Sequence, residues 1–132
     1  MNNIKKKGYH REHIYPNESF VQESIEKHFI SKGFDIENKP NVDLSCVHPE
    51  SRESWMIEAK GQSKSIGVDF KTAIGQIIFR MDNNDYKYGI AVPNTKQYLA
   101  QINKVPDLVI ERLRLVFFVV SEDGSVSTLN WH

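Results

Sequence analysis

The eight residues SWMIEAKG, positions 54–61, constrain the fold more than any other part of the chain. In an extended chain Trp55, Ile57 and Ala59 share one side and Met56, Glu58 and Lys60 the other, because side chains of a strand alternate. A stretch this apolar belongs inside a sheet, yet it carries an acid and a base two residues apart on one face. Burying either charge uncompensated costs roughly several kcal/mol. Either other charged groups gather around Glu58 and Lys60, or the two form an edge-strand surface pair worth about 0–1 kcal/mol. Met56 on the same face, with Ile57 and Ala59 behind it, favours a central strand.

The flanking sequence supplies the rest of such a sheet. Residues 15–34 read as a helix: Ser19 and Gln22 have capping-box spacing, Phe20, Val21, Ser24, Ile25, His28 and Phe29 fall on one face, and Gly33 ends it. Residues 34–39 alternate as a strand. In residues 41–48, Val42, Leu44, Cys46 and His48 oppose Asp43, Ser45 and Val47, and the turn-like 49–53 folds this strand onto 54–61 as a hairpin. GQSKSIG, 61–67, reads as a mobile loop, followed by a helix over 68–82 with Phe70, Ile74, Ile77, Ile78 and Met81 at helical spacing. A buried strand (86–93), a short helix (95–106), a further helical turn (107–113), the strand RLVFFVV (114–120), a turn and a final short strand complete the order. A meander followed by a crossover helix predicts an α/β domain, a mixed sheet with helices against it.

Composition agrees with one such domain over residues 1–132. The hydrophobic (39%) and charged (26%) fractions exclude a disordered, collagenous or disulfide-scaffold chain. No run approaches the roughly 20 apolar residues of a membrane helix, and MNNIKKKGYH has no apolar run behind its charges, so neither membrane span nor signal peptide is expected. Cys46 is the one cysteine, which suits a reducing cytoplasm and a small buried side chain. Formal charge is zero, so the chain as a whole does not advertise a polyanion partner, although Lys5, Lys6, Lys7 and Arg11 crowd its start as a basic, flexible arm. His10 and His13 read as part of that surface arm, His28 and His48 as packed or surface residues, and Tyr86, Tyr88 and Tyr98 as sheet or core residues.

Asp43 lies in the middle of the predicted second strand, 15 residues before Glu58. Pairing across the 49–53 turn brings it to Glu58 and Lys60 at one end of the sheet. Two carboxylates and a backbone carbonyl make a hard oxygen site of the kind Mg²⁺ takes, and Lys60 beside it suits orienting a water or meeting a phosphate oxygen. Asp69, Ala73, Gln76 and Arg80 form one stripe of the following helix, with Ala73 and Gly75 small enough to leave room for a ligand. Glu18 and Glu23 on the first helix are further candidate acids.

Asp43, the spacer, Glu58-Ala59-Lys60 and the downstream AIGQIIFR together resemble the core of the PD-(D/E)XK, or restriction endonuclease-like, nuclease superfamily, which includes Holliday-junction resolvases and repair nucleases. Asn41-Val42 stands where the motif's name has proline. The order of elements matches the family's αβββαβ core over about residues 18–93. The resemblance implies Mg²⁺-dependent hydrolysis of DNA phosphodiesters, with Mn²⁺ as a substitute. In that reading Asp43, Glu58 and the Ala59 carbonyl hold metal, Lys60 assists the water, Gln76 positions a neighbouring group, and Glu18, Glu23 and Arg80 are additional candidates. Lys64, Lys5, Lys6 and Lys7 are the expected DNA contacts. A homodimer, with RLVFFVV as the interface, or a larger DNA-processing or defence complex is the expected assembly. The alternative is a catalytically silent binding or scaffolding subunit of the same fold.

Overall fold

A computed structural model describes residues 13–129; Lys5, Lys6, Lys7, His10 and Arg11 of the basic arm lie outside the described residues. The elements in chain order are α1 (Glu18–Ser31), β1 (Asp35–Glu37), β2 (Leu44–Val47), β3 (Ser54–Ala59), α2 (Ile66–Ile78), β4 (Tyr86–Pro93), α3 (Lys96–Asn103), α4 (Asp107–Leu113), β5 (Leu115–Val120) and β6 (Val126–Leu129). The six strands form one mixed sheet in the order β1-β2-β3-β4-β5-β6. The first three form an antiparallel meander, β3, β4 and β5 run parallel, and β6 returns antiparallel. The expected α/β architecture is thus present, with α4 an independent helix.

Strand alternation divides the core between the two faces. Trp55, Ile57, Ala59, Ala91, Val116, Phe118 and Val120 pack under α1 through Val21, Ile25 and Phe29. Tyr88, Ile90, Val92, Leu115, Phe117 and Val119 pack under α2, α3 and α4 through Phe70, Ala73, Ile77, Tyr98, Ile102 and Ile110. Gly89 is small because the Phe118 ring lies across it: a Cβ there would come within 2.6 Å of that ring. All six residues of β5 are buried, and both its edges are paired, so LVFFVV lies in the interior of this sheet and not at the dimer interface expected for it, while Arg114 before it is exposed.

Several local expectations are corrected. α1 starts at Glu18, so Ser19 falls within its first turn and cannot cap it; Ser19 Oγ is buried without a hydrogen-bond partner among the described residues, and Gln22 reaches elsewhere. α2 begins inside the stretch read as a loop and stops at Ile78, leaving Ile78 44% exposed and Arg80 beyond the helix. Ala73 is fully buried in the core and leaves no room for a ligand. Gly61, the first residue of the stretch read as a loop, is buried and docks on α1. Cys46 is buried as expected, and burial pushes its thiol up to about 12.

Candidate functional site

The site begins with a ladder that runs out. β2 and β3 exchange backbone bonds at alternate pairs, with His48 N–H donating to Glu53 and the register continuing through Cys46–Trp55 to Leu44–Ile57. The next pair in that alternation would be Val42 with Ala59. β2 starts only at Leu44, and Asn41 at φ +66° turns the chain aside, so the Ala59 N–H has no strand opposite it. Asp43 replaces the missing carbonyl: its Oδ2 accepts from Ala59 N–H at 2.8 Å. Asp43 therefore stands in a bend at the entrance of β2, one residue before the strand in which it was expected. From α1, the Gln22 side-chain amide donates to the Asp43 carbonyl at 2.8 Å and fixes this bend.

Glu58 lies next to that carboxylate on the face of the sheet covered by α2, and is 3% exposed. The exposed surface-pair reading is thereby excluded for this residue. Burial first, then the Asp43 charge and a hydrogen bond with Asp43, push the Glu58 carboxyl up to about 8, against the opposing pull of Lys60 and Arg80. Glu58 Oε2 is buried with no hydrogen-bond partner among the described residues. A carboxyl oxygen aimed into protein without a donor is an acceptor awaiting either a proton or a cation.

Three segments meet beside the pair: residues 60–62, the start of α1, and α3. Lys60 is half-buried directly after β3, where its N–H continues the ladder to Ala91 at 3.0 Å. Gly61 and Gln62 pass against the first turn of α1: Gln62 N–H donates to Pro16 at 2.8 Å, and a Cβ on Gly61 would stand 2.2 Å from the Glu18 nitrogen. The fully buried Tyr98 of α3 donates its hydroxyl to the Gly61 carbonyl at 2.7 Å. This docking brings Glu18 into the field of Asp43, Lys60 and Asp69; burial and then the Asp43 charge raise its carboxyl, while Lys60 lowers it.

The other candidates separate cleanly. Glu23 is engaged by His13 and Lys27, each at 3.3 Å, so of the two helix acids Glu18 is the one that stands at the site. His13 itself is half-buried, with its ring also 3.3 Å from the Ser19 carbonyl, and is not a free surface residue. Arg80 reaches Glu58 electrostatically from beyond the end of α2, and its Nε is buried without a hydrogen-bond partner among the described residues. Gln76 is exposed on α2 and Lys64 is exposed in the segment before it. Sequence reasoning missed Gln22 and Tyr98 as parts of this arrangement; both act through contacts that no local pattern signals.

Among the described residues no set of three or more His, Cys, Asp or Glu is grouped as a metal cage. The oxygens that could hold a hard divalent cation are fewer: the Asp43 and Glu58 carboxyls, with the orphaned Glu58 Oε2, and the expected Ala59 carbonyl, a set that would leave the remaining positions to water.

No family model matches the chain, and no curated protein matches it. Among solved structures it is similar to the crystal structure of an XisH family protein from Nostoc punctiforme, with a TM-score of 0.60 and 19% identity over 83% of this chain and 98% of that one. At that identity the likeness speaks for the fold alone, and it covers nearly all of the neighbour. No helix among the described residues is long and apolar enough to cross a membrane.

Proposed function

We propose that this chain is a metal-dependent nuclease that hydrolyses phosphodiester bonds in DNA. The observation that carries the reading is the nearness of the Asp43 and Glu58 carboxyls at the end of β3, with Glu58 buried and one of its oxygens without a hydrogen-bond partner among the described residues. Two acids held together in a protein interior repel each other unless a proton or a cation joins them, and a structural role alone would be filled better by an apolar pair. The XisH family neighbour supports the fold on which this reading depends and adds nothing on chemistry.

In this reading Asp43, Glu58 and the Ala59 carbonyl hold a Mg²⁺ or Mn²⁺ ion. The ion supplies Lewis-acid stabilisation of the phosphate charge and a lowered pKa for water. The ammonium of Lys60 faces the same carboxylates from the strand end and orients the attacking water or neutralises a phosphate oxygen. Glu18, brought toward Lys60 by the Gly61 docking, adds a further carboxyl to the field around that ammonium. Gln22 and Tyr98 hold the bend and the loop from which these groups project. No element beyond the core is available for base reading among the described residues, so selectivity is for DNA structure or ends, or comes from a partner.

The test is incubation of the purified protein with plasmid, linear, branched and single-stranded DNA, and with RNA, in Mg²⁺, Mn²⁺ or EDTA. Cleavage that needs the divalent ion and disappears in Glu58→Ala and Lys60→Ala supports the assignment. Cleavage in EDTA, or full activity in both variants, overturns it.

A further inference from the structure

α2 carries the chain back to the start of the parallel strands, where Tyr86 pairs with Ser54, the first residue of β3. Arg80 stands in the connection between that helix and β4, and its neighbour Met81 lines a cleft with Trp55 and Tyr86. The main chain of Arg80 therefore lies toward the end of β3 opposite Lys60. Its N–H donates to the Ile77 carbonyl at 3.0 Å and its carbonyl accepts from Asp82 N–H at 2.9 Å, which fixes the turn. From there the side chain is half-buried, with Nε enclosed, and its charge acts on Glu58. Lys60 and Arg80 thus approach one buried carboxyl from opposite ends of its strand.

Arg80 does not close on that carboxyl. Among the described residues no carboxylate oxygen lies within 4.0 Å of the guanidinium, and its side chain makes no hydrogen bond. Glu58 Oε2 is equally without a donor. A guanidinium keeps its charge at any ordinary pH, so its burial is not relieved by loss of a proton, as a lysine's can be. Its N–H groups need acceptors that the chain itself does not bring. A residue kept only to neutralise Glu58 would gain most by contact, and contact is what is missing. Water fills such a gap but brings no charge. The planar fork matches two oxygens of one phosphate, a geometry that suits arginine better than lysine.

We propose that Arg80 docks a phosphodiester of the substrate strand at the Glu58 site, its guanidinium donating to non-bridging oxygens on the side of Glu58 away from Lys60. The proposal rests on the nuclease reading for its ligand and gives a role to a cation which that reading leaves unused.

The test is fluorescence anisotropy of labelled duplex, branched and single-stranded DNA of equal length, with saturating Ca²⁺ in place of Mg²⁺ and strand integrity checked on gels. For the form the parent binds best, Arg80→Gln is expected to weaken binding more than about ten-fold. Its salt dependence should fall by about one power of salt concentration. Arg80→Lys keeps the charge without the fork, should lose at least about three-fold, and serves where Arg80→Gln does not fold. Lys71→Gln, which alters an exposed cation of α2, is expected to bind as the parent does, and an equal loss there would overturn the proposal. A counter-charge for Glu58 alone would shift the pH dependence of melting in Arg80→Gln and leave affinity and salt slope at parental values. That result overturns the proposal, as does a parent that binds no DNA. Arg80-dependent binding by a protein that cuts none of these DNAs in Mg²⁺ or Mn²⁺ upholds the docking role and strikes only the nuclease reading.

Discussion

Tyr98 and Gly61, 37 residues apart, meet in a buried hydrogen bond of 2.7 Å that ties α3 to the loop carrying Lys60. Removing the hydroxyl leaves the Gly61 carbonyl without its partner. Tyr98→Phe should lower stability by about 1–3 kcal/mol in urea unfolding and reduce cleavage by more than the small unfolded fraction explains. Unchanged activity would mean that the loop holds its place without this tie.

Asp43 accepts from Ala59 N–H in the structure and holds metal in the proposed function, and substitution separates the two. Asp43→Asn keeps an oxygen to accept from Ala59 N–H but removes the charge, and should retain near-parental thermal stability while losing cleavage by at least about a hundred-fold. Asp43→Ala removes both and should also destabilise by about 1–3 kcal/mol, measured by chemical denaturation.

The raised carboxyl of Glu58 predicts a pH dependence of stability without metal. It lies at about 8 in the folded chain against an ordinary 4.5, so between these limits the native state holds a proton that the unfolded state has lost. Stability from this group is therefore greatest below about pH 4.5 and falls as pH rises to about 8. In thermal melts in EDTA, the parent should lose stability from pH 5 to 8 relative to Glu58→Gln. A difference between them that does not change with pH would show that Glu58 ionises normally.

Two glycines should respond oppositely to alanine. Gly61→Ala drives a methyl to 2.2 Å from backbone in α1 and should destabilise severely or prevent folding, read by soluble yield and melting. Gly75 of α2 has nothing within 4 Å of the corresponding position, and Gly75→Ala should stabilise by about 0.5–1 kcal/mol.

Gln22 and Gln76 exchange the importance that sequence spacing assigned them. Gln22→Leu removes the amide that anchors the Asp43 bend and should depress cleavage several-fold. Gln76→Ala alters an exposed side chain and should do less, as steady-state rates on a single DNA substrate will compare.

Much of the fold was legible because alternation and helical spacing report burial directly. Trp55, Ile57 and Ala59 face α1 and Met56 and Glu58 face α2, as two-residue periodicity requires. The nearness of Asp43 and Glu58 follows from hairpin arithmetic, since Leu44 pairing with Ile57 sets residue 43 against 58. What escaped the sequence depends on where elements stop. Arg80 was assigned to a helix that ends two residues earlier, and Asp43 to a strand that begins one residue later. The Gln22 and Tyr98 contacts join residues 21 and 37 positions apart, and their chemistry is settled by tertiary packing that neither propensity nor spacing encodes.

The absence of a side chain on Gly61 has a mechanical meaning. With backbone resting directly on backbone, the lysine-bearing segment and the start of the first helix are seated against each other. The spacing between the main chain at Lys60 and that at Glu18 is therefore fixed by main-chain packing and leaves no room for even one methyl group.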